Sequence, residues 1–300
     1  MPVITRDQVT LEAGVLGAFN RAYMDAEATA MANVIATRIE TTLPTQNYDW
    51  WGQLPTLREW TDERTFRSMT RYRYTISDRV YEASIQVERR ALEDDQLDAL
   101  WTKVRDLGQQ AVRDVDRMLV EFLLAGFNTV GPDGQYFFDV DHAESGSNLS
   151  NVTSGPLSAS ALRTAITTMM SFRGDANRPL GITPTHLLVG PSQFLTAREL
   201  VESPVVVATS GTNYANVLAG IVQVLVTPYI PGNQWFLLDL SRPIKPLILQ
   251  VRSDVPDEVV IHSDPSNSPI VFMQDIVAVG VRKRFGIGYG LWQLAYGSSG

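Results

Sequence analysis

The 300-residue chain predicts an α+β fold on three observations. Apolar residues from Leu97 to Phe122 recur at the spacing of one long amphipathic helix. Aromatic and charged segments between Tyr48 and Arg90 alternate with period two, as strands do. The second half mixes short helical and strand-like segments separated by Pro, Gly and Ser.

Composition narrows the function classes before any motif is read. With 44% hydrophobic residues the chain is long enough for one elaborate domain or two smaller ones. A formal net charge of -8 gives no overall attraction for nucleic acid or anionic membranes. Cysteine is absent, which removes disulfides, thiolate nucleophiles and cysteine-containing zinc sites. Arginine outnumbers lysine 22 to 3; this suits bidentate pairing at polar interfaces, and codon usage explains it at least as readily. The first residues carry no apolar signal stretch, and the run Val217 to Val226, interrupted by Gln223, is too short to span a bilayer. A cytoplasmic protein without membrane contact is expected.

Taken in order, apolar Leu11, Val15, Phe19, Tyr23, Met31, Val34 and Ile39 predict one or two amphipathic helices in an N-terminal arm. Leu43-Pro44 ends them, because proline restricts its predecessor to extended geometry. The segments 71–76 and 80–87 then predict a long two-stranded ribbon, with Tyr72, Tyr74 and Ile76 on one face and Arg71 and Arg73 on the other. Isolated hairpins are marginal in water, so this ribbon needs something to lie against. The helix from Leu92 to Ala125 starts at Glu93-Asp94-Asp95, where acids favour the helix dipole, and Gly126 follows it. At 1.5 Å per residue it is about 50 Å long, roughly three times an average helix.

Beyond the turn Gly131-Pro132-Asp133-Gly134 and a Ser/Asn/Gly-rich loop, Ser158 or Ser160 caps a helix to about Phe172. His186-Leu187-Leu188-Val189 reads as a buried strand, and Pro191 opens a helix to about Val201. Further strands are expected at Val217–Val226, Trp235–Leu240, Ile244–Val251, Val259–His262, Ile270–Met273 and Ile276–Phe285. Gly286, Gly288 and Gly290 share one face of a terminal strand, where they permit close backbone approach.

No constellation carries convincing chemistry. Asp139, Asp141, His142 and Glu144 form the most suggestive cluster, yet they lack the ligand pattern and glycine of a calcium loop. A solvated loop with local side-chain caps is the plainer reading. His186 and His262 have no neighbouring nucleophile, and Gly190-Pro191-Ser192-Gln193-Phe194 departs from the G-x-S-x-G elbow at Phe194. The terminal glycines lack the helix and second strand of a dinucleotide site. Arg71-Tyr72-Arg73-Tyr74 pairs cations with aromatics as single-strand readers do, but Asp62, Glu63, Asp78, Glu82 and Glu88 nearly balance it. A contact strip between subunits, or a solvated ribbon face, explains it better. The candidates for such contacts are Trp50, Trp51, Trp60, Arg64, Arg71, Tyr72, Arg73 and Tyr74.

Several separated segments, in order, resemble the major head subunits of Mu-like tailed phages. They are Tyr48-Asp49-Trp50-Trp51-Gly52 through Pro55-Thr56-Leu57-Arg58-Glu59-Trp60, Leu92-Glu93-Asp94-Asp95, 133–139, 237–246 and 285–295. The resemblance implies a Hong Kong 97-type major capsid fold. Its parts would be an N-terminal arm (1–47), an extended loop (48–90), a peripheral domain with a spine helix (91–154), an axial domain (155–240) and return strands of the peripheral domain (241–300).

It further implies a structural protein without cofactor that forms hexamers and pentamers of an icosahedral head around double-stranded DNA. It would be found in the virion, and in the host cytoplasm during assembly. Implied partners are a separate scaffold, a maturation protease, a portal, a decoration protein and weakly held DNA. Some relatives cross-link subunits through a loop lysine; no lysine lies between Tyr48 and Arg90 here, so noncovalent contacts are expected. The alternatives are an encapsulin-like nanocompartment shell and, in another class, a metal-dependent hydrolase using Asp139, Asp141 and His142.

Overall fold

The computed structural model describes residues 6–51, 71–88, 90, 97–144, 147–174, 178–207, 213–255, 257–263 and 268–300. The chain begins with helices α1 (Arg6–Ala28) and α2 (Met31–Ile35), then strands β1 (Ala36–Thr41), β2 (Thr45–Trp51), β3 (Arg71–Ser77) and β4 (Arg79–Glu88). The long helix α3 (Leu97–Leu124) follows, ending in a 3-10 turn at Ala125–Phe127. Short strands β5 (His142–Glu144), β6 (Ser147–Leu149) and β7 (Val152–Thr153) lead to α4 (Ala159–Ser171). Next come β8 (Arg173–Gly174), β9 (Arg178–Pro179), β10 (His186–Val189), α5 (Phe194–Glu202), β11 (Val205–Val207), β12 (Asn213–Ala215), β13 (Gln223–Val226) and β14 (Trp235–Leu238). The chain closes with β15 (Leu247–Arg252), β16 (Glu258–His262), α6 (Pro269–Gln274), β17 (Ile276–Tyr289) and β18 (Ala295–Ser298).

Two five-stranded mixed sheets organise these elements. In the first, the order β1-β15-β17-β16 is joined by β4, which pairs with β17. The second has the order β13-β10-β14-β18-β7. The chain crosses from one to the other at Trp292–Leu294, between β17 and β18. One apolar core spans both: Leu247, Phe285 and Tyr289 from the first sheet meet Leu187, Trp235 and Phe236 from the second, with Leu119 and Leu123 of α3 and Leu162 and Met169 of α4. Burial of such side chains is the main favourable term in folding.

The helix α3 serves two cores. The stripe read from the sequence buries Leu100, Val104, Leu107 and Ala111 in a smaller cluster with Val15 and Phe19 of α1 and Val279 and Val281 of β17. Its second half adds Val112, Leu119, Val120 and Leu123, which face the main core. A helix so wedged needs apolar residues over more than one narrow stripe. The expected helix start at Glu93, Asp94 and Asp95 lies outside the described residues.

Four expectations need correction. The segments 71–76 and 80–87 do not pair with each other: β3 pairs with β2, Thr45↔Ser77 through Trp51↔Arg71, whereas β4 pairs with β17. Asp78 alone separates β3 from β4, too little chain to reverse direction, so the strand runs on and changes partners. The N-terminal pattern is helical only to Ile35, with Val15 and Phe19 buried against α3; residues 36–41, which include Ile39, form the parallel strand β1 beside β15. The backbones of α1 and α3 approach so closely that a Cβ on Gly108 would lie 2.9 Å from the Phe19 carbonyl oxygen. Ile270–Met273 is helical within α6, an apolar run too short to reveal its period. Residues 217–222 are turns, and only Gln223–Val226 of that run forms a strand.

Other elements match. Ser158 caps α4 by accepting the Ala161 amide at 3.2 Å, and Pro191 opens the turn before α5. The terminal glycines do allow close approach: a Cβ on Gly286 would sit 2.9 Å from the Ser77 carbonyl oxygen, and Gly288 lies against Ile76.

Candidate functional site

The ribbon of β2 and β3 leaves the body of the molecule from a tightly built base. Thr45 Oγ1 and Ser77 Oγ are 3.1 Å apart, and the Asp78 amide donates to the Pro44 carbonyl at 2.9 Å, closing the two strands together. Tyr48 donates its hydroxyl to Oε1 of Gln250, a fully buried residue of β15, at 2.9 Å. Ile76 is 2% exposed over the glycines of β17. Tyr74 tilts against Tyr289 with ring centroids 6.5 Å apart, and burial pushes both phenols up from their ordinary pKa.

The opposite face is different. Arg73 keeps a 63%-exposed side chain 3.5 Å from Asp49. A guanidinium so exposed gains little stability from its partner, although the Asp49 side chain is itself only 28% exposed.

The eight contact candidates therefore separate. Trp50, Trp51, Arg71 and Tyr72 are placed by backbone register alone, as the pairs Trp50↔Tyr72 and Trp51↔Arg71 at the far end of the paired segment. Arg73 is displayed outward, whereas Tyr74 spends its ring on its own chain and anchors the base. Trp60 and Arg64 lie outside the described residues.

Of residues 139–142 only His142 turns inward; Asp139 is half-buried and Val140 and Asp141 are exposed, as a solvated loop requires. His142 is fully buried and stacks on Trp292 with centroids 3.8 Å apart. Its Nδ1 lies 2.6 Å from Asp133 Oδ2, and its Nε2 lies 3.1 Å from Asn151 Oδ1. Both ring nitrogens face side-chain oxygens of the chain itself, so neither looks onto an open position where a metal could sit. Asp139 accepts the Val140 amide at 2.7 Å and the Tyr136 amide at 3.3 Å, the local capping expected of a loop aspartate. Asn151 is the hub: it accepts the Asp139 amide and donates to the Phe137 and Ala295 carbonyls, tying this loop to the C-terminal segment.

The remaining motifs are also structural. His186 contacts the Thr185 hydroxyl at 2.8 Å, and burial lowers its pKa. His262 is exposed on the edge strand β16, and Ser192 donates to the Gly232 carbonyl. Among the described residues, no group of three or more His, Asp and Glu is placed to hold a metal ion. No helix among them is long and apolar enough to cross a membrane.

Three polar contacts gave no motif in the sequence. Asp116 on α3 accepts the Met31 and Ala32 amides at 3.1 and 2.7 Å, capping α2 across the fold. Burial raises its pKa while these two bonds act in the opposite sense. Tyr23 donates to Asp257 at 3.0 Å and accepts from Lys283 at 2.6 Å, fastening α1 to the first sheet. Asp78 pairs with Arg252 and Arg284 at the ribbon base.

Two sheets bound to one long helix, with a ribbon projecting from the first, define a shell-building subunit of the Hong Kong 97-type capsid fold. The structure is similar to the procapsid protein of bacteriophage JBD30, with TM-score 0.57 and 27% identity over 99% of this chain and 76% of that one. The chain belongs to the family of Mu-like prophage major head subunits, gpT, whose pattern matches residues 9–157, 148–230 and 231–300. It is 27% identical to the Mu-like prophage FluMu major head subunit of Haemophilus influenzae, over 92% of this chain and 68% of that protein. It is 25% identical to the major capsid protein of Escherichia phage Mu over 91% and 68%. The protein is thus a structural component of a phage head and not an enzyme.

Proposed function

We propose that copies of this chain associate as hexamers and pentamers that close into an icosahedral head around double-stranded DNA. The observation that carries this reading is the ribbon, fixed at its base by buried contacts while Arg73 faces outward. A marginal two-stranded element gains stability by lying on another surface, and a neighbouring copy supplies one. Trp50, Trp51, Trp60, Arg64, Arg71, Tyr72 and Arg73 form the contact strip to that neighbour.

In this reading the extended loop falls within 48–90, less β4, which pairs with β17 in the peripheral domain beside α3; the axial domain is 155–240, joined from the 241–300 return segment by β18 through its pairing with β14. The net charge of -8 suits a container that holds its cargo weakly. A separate scaffold, a maturation protease, a portal and a decoration protein complete the pathway; the JBD30 capsid is itself known in a form decorated with minor capsid protein trimers. Without a lysine between Tyr48 and Arg90, the loop contacts are noncovalent. Co-expression of scaffold with the double variant Arg71→Ser/Arg73→Ser tests the strip: shell yield by electron microscopy falls while the subunit stays folded, and an unchanged yield would overturn the assignment.

A further inference from the structure

The ribbon leaves the sheet at one residue. Strands β3 and β4 are one extended run broken only at Asp78, where the backbone drops its β2 partner and takes up β17. The Asp78 side chain is 4% exposed and points at two arginines. Its Oδ2 lies 3.1 Å from Arg252 Nη1 and 2.6 Å from Arg284 Nε, while Oδ1 lies 3.4 Å from Arg284 Nη2.

The sheet register explains why both arginines are there. Val251 pairs with Phe285 where β15 meets β17, so the next step along the ladder sets Arg252 beside Arg284. Like charges side by side on adjacent strands repel, the more so when poorly solvated. Arg252 is 7% exposed and is held on its other side by Asp254, at 2.7 Å from Nε and 2.6 Å from Nη2. Asp78 is the carboxylate shared between the two guanidinium groups, and it belongs to the ribbon.

A buried, multiply bonded carboxylate fixes direction as well as contributing energy, because guanidinium forks accept it only in narrow geometries. We propose that Asp78 is a positioning residue: wedged between Arg252 and Arg284, it sets the angle at which the ribbon leaves the sheet and so aims the contact strip at the neighbouring copy. The exit angle is a property of the single subunit, and its link to the neighbouring copy rests on the proposed assembly.

The absence of cysteine makes the angle measurable. Spin labels are placed on the unassembled full chain at Thr75→Cys in the ribbon and Glu121→Cys on α3, both exposed, and their separation is recorded by pulsed electron resonance. The otherwise unaltered chain gives one narrow distance distribution. Asp78→Asn, which keeps the size and loses the charge, broadens it, and ribbon amides exchange hydrogen roughly 10–100-fold faster, the range expected when a charge-assisted bond leaves a locally opening unit. Amides of β10 and β14 stay as they were.

A triple variant, Asp78→Leu/Arg252→Met/Arg284→Leu, separates aim from stability. Apolar replacement of buried ion partners together commonly preserves stability, and the remaining Asp254 is 40% exposed and stays solvated, so this variant folds with an undiminished thermal midpoint and still shows a broad distribution. A narrow distribution in both variants would overturn the positioning role and leave an ordinary buried ion pair. A broad distribution with full shell yield would uphold the pivot in the subunit but overturn its link to assembly.

Discussion

The ribbon and the N-terminal helix invite comparison because both look, in sequence, like elements that need an outside surface. The helix α1 finds that surface in its own chain: Val15 and Phe19 are buried on α3, and Tyr23 closes a bonded triad with Asp257 and Lys283. Among its described side chains the ribbon finds it at its root, through Tyr48, Tyr74, Ile76 and Asp78, and then presents Arg73 to solvent. An element docked along its length contributes to subunit stability, whereas one docked at its root is held ready for another molecule.

That contrast predicts effects of descending size on the isolated subunit. Phe19→Ala empties a fully enclosed site between α1 and α3 and costs about 3–5 kcal/mol, read from denaturant unfolding; a loss below about 1 kcal/mol would mean that α1 is not part of the core. Asp116→Ala leaves the Met31 and Ala32 amides without their acceptor and costs about 1–3 kcal/mol. Asp116→Asn, which keeps one acceptor oxygen, should recover part of that loss.

Gly286→Ala puts a methyl group against the Ser77 carbonyl and should cost about 1–3 kcal/mol. Here the informative readout is local: hydrogen exchange should rise in β2 and β3 before it rises in β14, and uniform acceleration would mean that the ribbon base is not a separate unit. Arg73→Ser should change subunit stability by less than about 0.5 kcal/mol, since the Arg73 guanidinium is largely exposed. Its effect belongs to assembly, where shell yield should fall.

The same two regions show what a sequence makes legible. The stripe from Leu100 to Ala111 shows a helix because its period is local, and Ser158 shows a cap because its partner is three residues away. Pairing is not local. Alternation marks both 71–77 and 79–88 as strands, yet nothing in either tells that one joins Thr45–Trp51 and the other Ile276–Phe285. His142 is unreadable for a related reason: Asp139, Asp141, His142 and Glu144 within six residues suggest solvent, and only the fold brings Trp292 from a distant segment to stack on it. In the contact strip, Tyr74 shares its alternation with Tyr72, and the turn of its ring toward Tyr289 depends on glycines some two hundred residues away. Asp78 had a faint local signal, as the one acid interrupting two strand patterns, but its arginines come from β15 and β17.

The most direct test of the central claim is electron microscopy of the full chain expressed with and without a scaffold protein from the same head-gene cluster. Closed shells built of hexamers and pentamers are expected in at least one of the two conditions. Folded monomers alone in both would contradict the claim.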